Sequence, residues 1–173
     1  VVVSTAIDDM KRRGHISRLE FDAGIRRNGG DPKGAYQLIW FLQNYLDDDA
    51  VNAISAVVLN RRVNPQKHPD VAANIPAAKS VYKFTQEELR RHHKRKKTMT
   101  LYRGLTRAPG AILMQSGTVP TRRGVQHIHA NEVESWTDDP SVACDFVGTA
   151  GVVVRSEIPI RDVAYSPLSY PPT

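Results

Sequence analysis

The 173-residue sequence predicts an α+β fold, and three observations carry the prediction. Between Lys33 and Leu59 the apolar residues recur at helical spacing. Thr85-Gln-Glu-Glu88 has the form of a capping box at a helix start. After Met99 the pattern shortens to stretches rich in β-branched residues and broken by Gly and Pro, as in a mostly antiparallel β part. With 40% apolar and 24% charged residues, the composition suits one compact domain, of which 1–97 is the helical part and 98–173 the β-rich part.

Each element has its own signal. The opening Val1–Ile7 is too short for a signal peptide and lacks a charged leader, and its valine start suggests a processed or incompletely represented polypeptide. Tyr36, Ile39, Trp40, Leu42, Tyr45 and Leu46 form one helical stripe, and Val51, Ile54, Val57 and Val58 a second. Asp47-Asp48-Asp49 divides the two helices and supplies a cap for the second, because a short carboxylate accepts from the free N–H groups of a first turn. A further helix is expected from about Gln86 into the basic run that follows. Strands are expected at Thr98–Arg103, Gln126–His129, Val133–Trp136 and Val152–Ile158, with a short element at Ala111–Met114. Pro140 after Asp139 marks a helix start between the last two strands, with Val142, Ala143 and Phe146 as its inward face.

Several function classes drop out. No run approaches the ~20 apolar residues of a membrane helix, so a soluble chain without membrane contact is expected. A single cysteine, Cys144, excludes an internal disulfide and a thiolate zinc cage, and its apolar helical setting predicts a buried structural thiol. His127 and His129 share one face of an expected strand, but no third ligand is evident, so no metal site is assigned. Phosphate-loop, dinucleotide, zinc-helix and nucleophile-elbow motifs are absent from the sequence. The net charge of +6 is local: Arg90, Arg91, Lys94, Arg95, Lys96 and Lys97 account for all of it. That run reads as a solvated helix end or as a contact for an acidic partner or nucleic acid, although no aromatic residues interleave it as a stacking platform.

The chemistry-bearing constellation lies further on. Leu101-Tyr102-Arg103-Gly104 ends one strand, Glu134-Ser135-Trp136-Thr137 forms the next, and a helix with Ala143 and Phe146 leads to Gly151-Val-Val-Val-Arg-Ser-Glu-Ile-Pro159. Over roughly Val81–Val163 this order resembles the mono-ADP-ribosyltransferases, especially the phage-encoded and toxin-like ones, with an arginine at a first core strand, a Ser-aromatic-Thr element at the next and a glutamate on a later strand. The resemblance implies helices packed beside two small, mainly antiparallel sheets, with NAD as substrate in the cleft between them. It implies NAD contacts from Tyr102, Arg103, Gly104, Ser135, Trp136, Thr137 and Phe146, and transfer of ADP-ribose to a macromolecular acceptor, a protein in the first place, in a host cytoplasm reached by virion or toxin.

The residues suit that chemistry. Arginine presents a planar fork to phosphate oxygens at any working pH, which makes Arg103 the candidate clamp for NAD. Gly104 has no Cβ to hold a ligand away from its backbone, Ser135 can orient a ribose or a carboxylate, and Trp136 can wall a pocket or pack in the core. Breaking the nicotinamide–ribose bond builds oxocarbenium character, which calls for a nearby carboxylate. The resemblance puts that glutamate on a strand after Val152–Ile158, at a position expected near or past Thr173. The polypeptide is therefore expected to continue beyond Thr173, the β-rich part lacking its C-terminal strands here; the alternatives are an inactive relative, or Glu157 in the role, since Glu132-Val-Glu134 precedes Ser135 and so stands in the wrong order. Two rivals remain: an inactive module that keeps the scaffold to bind a protein partner, and a nucleic-acid binder acting through the basic run. RNA 2′-phosphotransferase chemistry on a similar scaffold would want a histidine at the clamp, where Tyr102 and Arg103 stand instead.

Overall fold

A computed structural model describes residues 2–6, 16–44, 47–94, 96–105, 133–147 and 151–166. In chain order they form strand β1 (Val2–Ala6), helices α1 (Arg18–Arg27), α2 (Pro32–Asn44), α3 (Asp48–Val58) and α4 (Pro69–His92), strands β2 (Thr98–Leu105) and β3 (Val133–Thr137), helix α5 (Pro140–Asp145), and strands β4 (Val152–Pro159) and β5 (Val163–Tyr165). The α+β class is as the sequence predicts. The expected elements at Ala111–Met114 and Gln126–His129, with His127 and His129, lie outside the described residues, as do Tyr45, Leu46, Arg95 and Glu132.

The helix ends follow local chemistry. Ser17 caps α1 through a reciprocal box, its hydroxyl accepting from the Glu20 N–H at 3.3 Å while Glu20 accepts from the Ser17 N–H at 2.8 Å. The helix stops at Asn28 and Gly29, where φ is +77° and a side chain would be strained. Asp47 caps α3 as expected, accepting from Asp49 and Ala50.

Helix α4 corrects the expected start at Gln86. It begins at Pro69, runs 24 residues and continues through Pro76, so Thr85 and Glu88 are interior helical residues and no capping box exists there. Burial explains the continuity. Val71, Ala78, Val81, Phe84 and Leu89 all face the core, and this apolar stripe outweighs the single backbone donor that Pro76 lacks. Thr85 and Glu88 are buried too, and Glu88 is held by Arg91 at 2.7 Å rather than by a helix start.

Two apolar clusters meet along α4. The larger joins Phe21 and Ile25 of α1, Leu38, Ile39 and Leu42 of α2, Ile54 of α3 and Phe84 of α4, and it takes in Ala164 and Tyr165 of β5. The smaller joins Leu89 to Met99 and Leu101 of β2, Ile158 of β4, Ile160 and Val163, with Trp136 packed against it. Buried Gln86 pins the connection: its side-chain amide donates to the carbonyls of Ile160 (2.8 Å) and Val163 (3.0 Å), which satisfies two acceptors beneath the helix.

The described strands make one five-stranded sheet in the order β4-β2-β3-β1-β5. It is mixed. The β2 pairings with β3 and β4 are antiparallel, and the β1 pairings with β3 and β5 are parallel. Strand β1 therefore inserts residues from the helical part of the sequence into the middle of the sheet, between β3 and β5.

Candidate active site

The ladder registers decide which side chains share a face. Tyr102 pairs with Thr137 and Arg155, and Thr100 with Glu157. Residues directly opposite one another project to the same side and neighbours along a strand alternate. Thr100, Tyr102, Gly104, Arg155, Glu157 and Thr137 therefore share one face, together with Ser135, two residues before Thr137. Met99, Leu101, Arg103, Ile158 and Trp136 take the other, which α4 covers through Leu89. Burial agrees: Met99, Leu101 and Ile158 are buried, while Arg155 and Glu157 are exposed.

This pleat separates the two residues expected to converge. Arg103 and Ser135 lie on neighbouring strands, but Arg103 projects with Trp136 toward the helix-covered side and Ser135 is exposed on the opposite one. Arg103 is partly buried, with one terminal guanidinium nitrogen out of solvent. Trp136 packs against the smaller core cluster, and its buried indole N–H has no acceptor among the described residues.

Glu157 has a defined setting. It accepts a short hydrogen bond from the Thr100 hydroxyl across the β2–β4 ladder and an ion pair from Arg155 at 3.3 Å, and its side chain stays about half exposed. Strand rise and spacing put Ser135 about 16 Å from Glu157, so Ser135 cannot orient that carboxylate. Thr100 does so instead. Composition and motif gave no hint of Thr100; its alternation with Met99 and Leu101 places it on the polar face, but only the register shows what it meets.

Helix α5 closes one end of this face. Asp139 is its N-cap, accepting from the Ser141 N–H at 2.8 Å, and Thr137 is buried with its hydroxyl accepting the Asp139 N–H at 3.1 Å. Gly104 lies directly beneath. A Cβ there would come within 2.3 Å of the Ala143 carbonyl oxygen and 3.1 Å of the Phe146 Cβ, so the space above Gly104 is filled by the helix. Two expectations for α5 are corrected. Ala143 is its one buried residue, whereas Phe146 is 69% exposed beside Gly104, and Cys144 is exposed rather than buried, because a six-residue helix lying on a sheet hides only a narrow stripe.

The other end of the face opens into a groove of about 450 Å³ lined by His93, Lys96, Lys97, Thr100, Asp138 and Glu157. That volume lies within the range of small-molecule sites. The basic run is thus divided. Arg90 and Arg91 occupy the last turn of α4, where cations suit the helix dipole, while Lys96 and Lys97 turn back to the groove. Two backbone hydrogen bonds set that turn, Lys96 N–H to the His93 carbonyl at 3.0 Å and Ile160 N–H to the Lys97 carbonyl at 2.9 Å.

The strand after β4 follows through a 3₁₀ turn at Ile160–Asp162, reads Val-Ala-Tyr and pairs with β1 at the far edge of the sheet. The position expected for the glutamate, near or past Thr173, lies outside the described residues. Among the described residues no group of three or more His, Cys, Asp or Glu side chains is placed to hold a metal ion, and no helix is long and apolar enough to cross a membrane.

Residues 79–169 match the family model described as dinitrogenase reductase ADP-ribosyltransferase. The match opens inside α4 and spans β2, β3, α5, β4 and β5, so it contains four of the five described strands, with β1 outside it. No curated protein and no solved structure matches the chain.

Proposed function

With more than half of its length matched by that one model, the chain belongs to the dinitrogenase reductase ADP-ribosyltransferase family, and from that membership we propose that it cleaves NAD and transfers the ADP-ribose to a protein acceptor. The family's description makes dinitrogenase reductase the first acceptor to try. The observation that carries the assignment to particular residues is the register. It sets a hydrogen-bonded carboxylate, Glu157, on the same face of the sheet as Tyr102, Thr137 and Ser135, beside a groove.

In this reading the bond between ribose C1′ and the nicotinamide nitrogen breaks, its electron pair leaves with nicotinamide, and an acceptor nucleophile forms the new bond to C1′ and gives up its proton. Positive charge builds on the ribose as the bond opens. Glu157 faces that charge, and the Thr100 hydroxyl and Arg155 fix its direction. Thr137 and the α5 turn shape one wall, and the exposed ring of Phe146 and Tyr102 offer apolar surface to a base. Ser135 supplies a hydroxyl too distant for Glu157 and suited to another part of an extended dinucleotide. Trp136 backs β3 from the core side, and Gly104 admits α5. Arg103, on the covered face, has the weaker claim to the phosphates.

The test is nicotinamide release from NAD together with label transfer to dinitrogenase reductase. Glu157→Gln is expected to lower turnover at least 100-fold while NAD binding by calorimetry stays within threefold of the parent. Unchanged turnover in that variant removes Glu157 from the reaction. Absence of NAD binding in the parent removes the enzyme reading and leaves the module that binds a partner.

A further inference from the structure

The groove beside Glu157 carries both signs of charge, with the carboxylates of Glu157 and Asp138 and the side chains of Lys96, Lys97 and His93 in its lining. A carboxylate alone would serve the sugar carbon where charge develops; the lysines face a different need. Both lysine side chains are exposed, and neither ammonium has an ion-pair partner among the described residues. The backbone that carries them is held at two points by the His93 and Lys97 carbonyls, and both lysines line the groove. Arg103, the cation first expected at a phosphate, projects from the other face of the sheet.

We propose that this groove is a diphosphate site in which Lys96 and Lys97 supply the cations, and that it receives the diphosphate bridge of NAD. The assignment to NAD rests on the function proposed above; the diphosphate site itself does not. Lysine acts on phosphate as a mobile point charge, which suits a rim where a flexible bridge must settle after the ribose reaches Glu157. The charge pattern of the ligand mirrors the groove: an anionic bridge meets the lysines, and a sugar that turns cationic meets the carboxylate.

Calorimetric titrations with NAD, ADP-ribose and inorganic pyrophosphate test this, on the parent, Lys96→Ala/Lys97→Ala, Arg103→Ala and Arg90→Ala/Lys94→Ala. The last pair removes the same net charge from exposed positions of the basic run outside the groove. The lysine double variant is expected to weaken all three ligands at least tenfold, and the parent affinity to fall as salt rises from about 0.05 to 0.2 M. The control pair is expected to stay within twofold. The site is overturned if the lysine variant binds pyrophosphate and NAD as the parent does, if the control pair weakens binding equally, or if Arg103→Ala alone abolishes it. Should the parent bind pyrophosphate through the lysines and yet ignore NAD, the diphosphate site stands and the ADP-ribosyltransferase reading fails. Binding of neither by the parent overturns both.

Discussion

Gly104 shows how one residue invites two physical explanations that only packing separates. A glycine beside a candidate clamp suggests close approach of a ligand to the backbone, yet the atoms nearest its absent Cβ belong to α5 and the two residues after it: the Ala143 carbonyl, the Val147 methyl and the Phe146 Cβ. Two of these contacts involve backbone or Cβ atoms that cannot swing away. Gly104→Ala is therefore expected to cost about 1–3 kcal/mol in a urea melt, the usual penalty for inserting a methyl into filled space. Unchanged stability would show that α5 is not seated on β2 at that point. At this scale the sequence was legible where chemistry is local, as at Asp47 and Asp139, whose carboxylates cap helices within three residues. It was silent on what Thr100 meets and on which face Arg103 takes, because a strand's period of two assigns faces only once its partner and register are known.

The two capping-box sequences make the same point for whole elements. Ser17-Arg-Leu-Glu20 and Thr85-Gln-Glu-Glu88 have the same form, and only the first starts a helix. Ser17 and Glu20 are exposed, free to turn their side chains back on the backbone, whereas Thr85 and Glu88 are buried on a helix already three turns and more old. The missed signal at Val71, Ala78 and Val81 was masked by Pro69 and Pro76, which read as breakers until burial against α3 and β5 is known. Helix α4 is tied to α1 by Arg27 and Glu87 at 2.7 Å. Partial burial alone would raise the Glu87 carboxyl, but hydrogen bonds from Arg27 and Asn28 and the charge of Arg27 outweigh it and hold the group below its usual carboxylate range. A carboxyl lowered by folding adds stability above its unfolded value and gives it up as pH falls through the lower folded one. Glu87→Gln is thus expected to be slightly less stable than the parent at pH 7 and indistinguishable from it at pH 2, with the gap also shrinking in high salt. A gap that persists in acid would mean that the substitution harms packing rather than the ion pair.

For the whole molecule, the division of the sequence into a helical part and a β-rich part does not translate into two independent bodies. Helix α4 contributes Phe84 to one apolar cluster and Leu89 to the other, five residues apart on one rigid element. Strand β5 is shared in the same way, with Val163 in the sheet cluster and Ala164 and Tyr165 in the helical one, and Gln86 bonds the carbonyls on either side of the 3₁₀ turn that precedes it. Strand β1 adds a covalent link from the start of the chain into the sheet. Opening either cluster strips partners from the other, so unfolding should be one transition. The two tryptophans report on the two halves: Trp40 belongs to α2, and Trp136 packs beneath the sheet. Trp40→Phe leaves Trp136 as the sheet's fluorescent reporter, and substituting Trp40, 49% exposed, disturbs the core little. In that variant the urea midpoint from fluorescence is expected to coincide with the midpoint from helical circular dichroism, and Leu89→Ala, which vacates a fully buried site in the sheet cluster, should lower both midpoints together, with a loss of about 2–5 kcal/mol in unfolding free energy. Separate midpoints would mean that the sheet bearing Glu157 opens independently of the helices, and the groove that depends on the α4–β2 turn would then lack the rigid floor its proposed chemistry needs.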